Sequence, residues 1–335
     1  MESITKNRQP VDVLRAMVGR AYGRDQVPAG GEDWVSELGH GWFNVAYRIR
    51  LRDGSQVVLK IAPSPSVEVM TYERGAMGIE LAALRLIRQH TSVPVPVVDF
   101  ADQTHELCDA DYFFMPFIDA DNLGTVGDAL PADRLETYRE AVGAANRELN
   151  SIRGPAFGPL AGPAGPAGPG KRSWRAVFSQ MAEDVLADGE RRRVELNWDY
   201  EVVRRVFDRN GACLDEVTEP RFVVWDLWDN NVMVRDGAIV AIIDHERAFY
   251  GDPLIEGGFV SVLLPGFGDA APFVRGYGHG ELTTGERERR RLYNLYLTLV
   301  MVIETFFREY TDPRQGDFAR EQLEESLAPF GLRRV

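Results

Sequence analysis

Phe43, Val45, Tyr47 and Ile49 alternate with more polar neighbours, and that period of two predicts a strand. Trp34, Val35 and Leu38 predict an earlier strand, joined to it by a turn at Gly39-His40-Gly41. Asp53-Gly54 is a favourable hairpin turn, and Val57-Val58-Leu59-Lys60-Ile61 is a short apolar strand interrupted by one amine. Between Glu73 and Arg88 the spacing changes: Met77, Leu81, Leu84 and Ile87 recur at helical intervals, predicting one helix laid against that sheet. The alternating prolines of Val93 to Val98 favour an extended exit, and Tyr112 to Ile118 is a further strand running into a linker.

Beyond residue 120 the helical period dominates. Leu135, Tyr138, Val142, Ala145 and Leu149 predict a helix after Pro131, and helical patterns return at Trp174 to Leu186 and Tyr200 to Phe207. Leu292, Leu295, Leu299, Val302 and Phe306 form the apolar stripe of a late helix. The Gly-Pro steps from Gly154 to Gly170 predict a flexible or extended surface loop. An α+β chain results, sheet-rich first and helix-rich afterwards.

Composition narrows the functional classes. The 335 residues are 44% hydrophobic and 27% charged, as in an ordinary globular protein. A formal charge of −13 is a poor match to nucleic-acid phosphates, so no nucleic-acid partner is expected. Leu295 to Ile303 is too short to cross a bilayer, and the amino terminus is too polar for a secretory signal. No membrane partner is expected, and the expected location is the cytoplasm, with Cys108 and Cys213 as two thiols.

The candidate chemistry lies in Phe222-Val223-Val224-Trp225-Asp226-Leu227-Trp228-Asp229-Asn230-Asn231-Val232-Met233-Val234. A second strand, Ala238 to Ile243, follows the Asp236-Gly237 turn and ends at Asp244. Pairing residues 232 to 234 with 239 to 243 brings Asn231 and Asp244 to one end of a hairpin. A carboxylate and an amide oxygen there can hold Mg2+ while nucleotide phosphates and waters complete its shell. Asp226 or Asp229 can then accept the proton of an acceptor hydroxyl. Lys60 can bridge nucleotide phosphates, Glu80 can orient it, and Gly39 and Gly41 can admit backbone amides to those phosphates.

In this order the motifs resemble the aminoglycoside phosphotransferase family within the protein-kinase-like small-molecule kinase superfamily, from about Glu37 to Val260. The resemblance implies a bilobal fold: a nucleotide-binding, antiparallel-sheet amino-terminal lobe with hinge at 1–118, and a helical catalytic and acceptor-binding lobe at 119–335. It assigns Asp226 as the catalytic carboxylate, Asn231 and Asp244 as metal ligands, and Glu37 to Asn44 as the glycine loop. Lys60 pairs with Glu80, with Glu73 as the rival partner, and Gly251-Asp252-Pro253 with Glu256 belongs to a segment that braces the catalytic region. Phe114, Met115 and Phe117 stand where the family hinge holds the nucleotide base. The chain departs from the family at Val224-Trp225-Asp226, where His-Gly-Asp is usual.

The implied activity is ATP- or GTP-dependent phosphoryl transfer to a hydroxyl of a small, cationic acceptor, an aminoglycoside or related antibiotic. Another polyol, amino alcohol or peptide antibiotic is the alternative acceptor, and a kinase-like binding protein without turnover is the non-enzymatic alternative. Glu183 and Asp184 are candidate carboxylates for an acceptor cleft.

Overall fold

The computed structural model describes residues 3–31, 33–39, 41–160, 173–310 and 313–332, so His40 and the later part of the Gly-Pro run, 161–170, lie outside the described residues. The chain forms two compact units, Met1–Val69 with Pro96–Asp119 and Arg308–Thr311, and Met70–Val95 with Ala120–Phe307 and Asp312–Val335.

The first unit contains α1 (Val11–Tyr22), β1 (Val35–Glu37), β2 (Val45–Arg50), β3 (Gln56–Ile61), β4 (Phe100–Asp102) and β5 (Tyr112–Pro116). The strands form one antiparallel sheet in the order β1-β2-β3-β5-β4. Alternation along β2 and β3 puts Val45, Tyr47, Ile49, Val57, Leu59 and Ile61 into a core with Leu14, Met17 and Val18 of α1. Lys60 has the opposite parity, and it pairs in register with Ala46 and Phe113.

The second unit is helical apart from two small sheets. It holds α2 (Ala76–His90), α3 (Leu123–Val126), α4 (Ala132–Leu149), α5 (Trp174–Arg191), α6 (Tyr200–Asn210), α7 (Ala271–Tyr277), most of α8 (Thr284–Arg308) and α9 (Pro313–Leu327). One antiparallel sheet joins β6 (Asp121–Asn122), β9 (Val232–Arg235) and β10 (Ala238–Ile242) in the order β10-β9-β6. The other joins β7 (Gly158–Pro159), β8 (Arg221–Val223) and β11 (Phe249–Gly251) in the order β7-β11-β8. Together these two sheets carry both ends of the Asp226–Asp244 segment.

Two helix expectations shift. Glu73 falls outside α2, in the turn Thr71–Glu73, because Gly75 at φ 74° breaks the helical path, and its carboxylate accepts the Met70 N–H at 2.9 Å. On α8, Leu292, Leu295, Leu299 and Val302 are fully buried as expected, but the stripe ends on Phe307. Phe306 is 39% exposed and lies under the Arg320 guanidinium, since a 3.6-residue period carries the buried face from Ile303 to Phe307. Among the described residues no helix is long and apolar enough to cross a membrane.

α4 and α7 meet without intervening side chains. A Cβ on Gly143 would lie 2.0 Å from the Phe273 carbonyl oxygen, and one on Gly276 would lie 1.8 Å from that of Glu140. Glycine at both positions lets the two backbones touch.

Candidate active site

The segment from β8 to β11 builds the candidate site. β9 and β10 pair with Val232 opposite Ile242 and Val234 opposite Ile239, with a bulge between Ile239 and Ala241. The ladder is extended by the Ile243 N–H, which donates to the Asn231 carbonyl at 2.9 Å. Asn231 and Asp244 therefore stand at the same end of the hairpin, as its register requires.

Asp226 is held from several directions. The Trp228 indole N–H donates to Oδ1 at 2.8 Å, and Asn231 Nδ2 donates to the Asp226 carbonyl at 2.8 Å while lying 3.5 Å from Oδ2. Arg247 Nε lies 3.8 Å from Oδ2. Burial pushes the carboxyl above its ordinary range; Arg247 opposes that shift, and the like charges of Asp244 and Glu304 add to it. Asp229, the competing carboxylate, is already engaged by Arg139 of α4 at 2.8 Å and 3.1 Å.

The backbone around these groups is strained. Trp225 and Asp244 both have φ of 66°, a left-handed conformation that is a marked outlier for a side chain as large as tryptophan. Fully buried Glu256 holds the first of them: Oε2 accepts the N–H groups of Val224 and Trp225 at 3.1 and 3.0 Å, and Oε1 those of Leu227 and Gly257 at 3.2 and 3.0 Å. Burial pushes the Glu256 carboxyl up, and the N–H groups of Gly257, Trp225 and Leu227 oppose it. The Trp225 ring packs among Tyr296, Tyr72 and Phe249, with centroids 5.2, 5.6 and 6.4 Å away. Asp252 ties the same region to α8, accepting from Arg289 Nε at 2.9 Å and the Tyr293 hydroxyl at 2.7 Å.

Glu80, Asp244 and Glu246 bring one carboxylate oxygen each within 4.8 Å of one another. This hard-oxygen set suits a divalent cation. Asn231 donates its amide N–H to the Asp226 carbonyl, which leaves Oδ1 as an oxygen that a cation could use, and the residues fit magnesium chemically. Glu246 is the member that sequence reasoning missed; its signal was the acidic pair two residues apart, Asp244 and Glu246. His245 follows the aspartate but is fully buried, with Nε2 3.0 Å from the Ile242 carbonyl.

The predicted nucleotide-binding residues Lys60, Gly39, Gly41, Phe114, Met115 and Phe117 lie in the first unit, and the acceptor-cleft candidates Glu183 and Asp184 in the second. Lys60 is 9% exposed. Gly39 is exposed and Gly41 half-buried, and a Cβ on Gly41 would meet the Asn44 carbonyl at 3.3 Å. Phe114 is fully buried in the core beside α1, its ring 5.3 Å from that of Tyr22. Met115 and Phe117 are half-buried; the Phe117 N–H donates to Gln56, and Arg48 stacks over its ring at 4.1 Å. Of the two acceptor-cleft candidates, Glu183 is bound by Arg204 at 2.8 Å, and Asp184 accepts from Gln180 at 2.8 Å with its carboxyl pushed up by burial.

Residues 34–293 match the sequence pattern of the phosphotransferase enzyme family, APH. No curated protein matches the chain at a significant level. Among solved structures, a thermostable mutant of aminoglycoside phosphotransferase APH(4)-Ia is 19% identical, with a TM-score of 0.62 over 88% of this chain and 94% of that one. A candidate fructosamine-3-kinase from Thermobifida fusca YX-ER1 is 20% identical, with a TM-score of 0.65 over 95% of this chain and all of that one (100%). The GDP complex of aminoglycoside 2'-phosphotransferase-IIIa is 16% identical, with a TM-score of 0.63 over 96% and 100%. These likenesses carry the bilobal fold, with its antiparallel-sheet amino-terminal lobe and helical carboxy-terminal lobe.

Proposed function

The chain belongs to the phosphotransferase enzyme family, and from that premise we propose that it transfers the terminal phosphoryl group of ATP or GTP to a hydroxyl of a small molecule. The observation that carries the reading is the hairpin end, where Asn231 meets Asp244 while Asp226, unlike Asp229, is outside a close ion pair. In the reaction, the acceptor oxygen forms a bond to the γ-phosphorus and the bond from that phosphorus to the bridging oxygen breaks. The nucleoside diphosphate leaves, and the hydroxyl proton passes to Asp226. Trp228 and Asn231 orient the carboxylate, and positioning is its larger contribution, because an aspartate is a weak base. Lys60 supplies a cation for the nucleotide phosphates, and Glu80 of α2 is its proposed partner. Magnesium, when bound, is held by Asn231 and Asp244 beside Glu80 and Glu246, and supplies charge neutralisation at the phosphates.

The acceptor we favour is a polyhydroxylated compound bearing an amine, an aminoglycoside first among them. The net charge of −13 supports a cationic acceptor, and so do solved relatives named for aminoglycosides and for a fructosamine. The test is incubation of the full chain with magnesium and ATP or GTP across aminoglycosides, fructosamines, other polyols and amino alcohols. Mass spectrometry would record phosphate on the acceptor. Transfer to amine-bearing sugars is expected; nucleotide turnover with no phosphorylated acceptor in any class would overturn the reading.

A further inference from the structure

Arg247 lies three residues after Asp244, and no feature of its spacing marks it. Its side chain is only 14% exposed, yet it is surrounded by groups that a cation suits. The guanidinium lies 5.3 Å over the Tyr72 ring and 5.6 Å over the Trp225 ring. Its Nη2 is 3.4 Å from Glu304 Oε2 on α8, and the Tyr72 hydroxyl donates to that same oxygen at 3.2 Å. Its Nε faces Asp226 Oδ2 from 3.8 Å, too far for a hydrogen bond and near enough for charge. Trp228 occupies Oδ1, so Oδ2 keeps a lone pair for a hydroxyl while Arg247 stands beside it. A planar guanidinium can stack on two rings and pair with two carboxylates at once, which a compact ammonium cannot do.

Resting on the phosphoryl-transfer reading, we propose that Arg247 is the positioning residue for Asp226. Clamped by Tyr72, Trp225 and Glu304, it fixes the carboxylate and the loop where this chain has Val224-Trp225 in place of the family's His-Gly. It acts through Asp226 and not on the nucleotide, so its loss shows in kcat and not in KM. With the best acceptor from the screen, Arg247→Gln is expected to lower kcat by about 10- to 100-fold, the scale of a misplaced reacting group. Both KM values stay within about twofold, since the binding groups are untouched. Arg247→Lys recovers part of kcat through its charge. Glu304→Gln gives a smaller loss, and the double variant Arg247→Gln, Glu304→Gln is no slower than Arg247→Gln alone, because one residue acts through the other. Circular dichroism verifies folding, and Arg247→Lys carries the test should Arg247→Gln fail to fold. A folded Arg247 variant with wild-type kcat, a loss confined to KM, or fully additive losses in the double variant would overturn the proposal while leaving phosphoryl transfer intact. A wild type that phosphorylates no hydroxyl would remove the underlying reading and this role with it.

Discussion

Replacing Glu256 by glutamine tests how the loop that carries Asp226 is held. The wild-type carboxylate accepts two N–H groups on each oxygen. In Glu256→Gln one of those oxygens becomes an NH2 group, which confronts two backbone donors in a fully buried site. Each buried donor left without an acceptor costs about 1–3 kcal/mol, so the pair costs about 2–6 kcal/mol. Total stabilities run to about 5–15 kcal/mol, so this is a large fraction. For 335 residues, the usual unfolding entropy per residue converts 1 kcal/mol to about 1.4 °C, giving a fall in Tm of about 3–8 °C. The same lesion releases Trp225 from its strained conformation and displaces Asp226. Calorimetry combined with hydrogen exchange at the Val224, Trp225 and Leu227 amides reads both effects. A Glu256→Gln protein that melts with the wild type and keeps those amides protected would refute the account of the brace.

Three further predictions concern proton acceptance, magnesium and helix packing. Asp226→Asn should lower single-turnover phosphorylation by about 10²- to 10⁴-fold while nucleotide affinity is retained; wild-type transfer by the folded variant would exclude Asp226. Asp244→Ala should raise the magnesium concentration needed for activity far more than Asp229→Ala, whose carboxylate serves Arg139, and equal magnesium titrations would reject that division. Gly143→Ala should destabilise the protein by about 1–3 kcal/mol through overpacking against α7, measured by urea denaturation, and an unchanged midpoint would show that the helices can separate freely.

The strand alternation of β2 and β3, the helical stripe of α8 and the β9–β10 hairpin were legible because each depends on periodicity or turn chemistry confined to a short segment. The hairpin in turn predicted the meeting of Asn231 with Asp244. What escaped the sequence depends on distant packing. Nothing local announces that Trp225 adopts a positive φ, since that conformation is imposed by Glu256 from 31 residues away. Arg247 and Glu304 are ordinary surface residues by type, and only the fold sets them side by side under cover of Tyr72 and Trp225. Glu73 matched the helical spacing of α2, and a single glycine conformation removed it.

Two of the six tryptophans, Trp225 and Trp228, bracket Asp226 in the chain. The Trp228 indole N–H rests on the carboxylate that is proposed to meet the incoming hydroxyl, and the Trp225 ring shares a face with the cation beside that carboxylate. Indole emission responds to both kinds of contact, so the protein carries an optical reporter at the proposed reacting centre. An acceptor that engages Asp226 disturbs the Trp228 contact directly, and the difference between the wild-type signal and that of Trp228→Phe isolates it. Binding can then be followed without a label and without waiting for turnover, for compounds that occupy the site but are never phosphorylated.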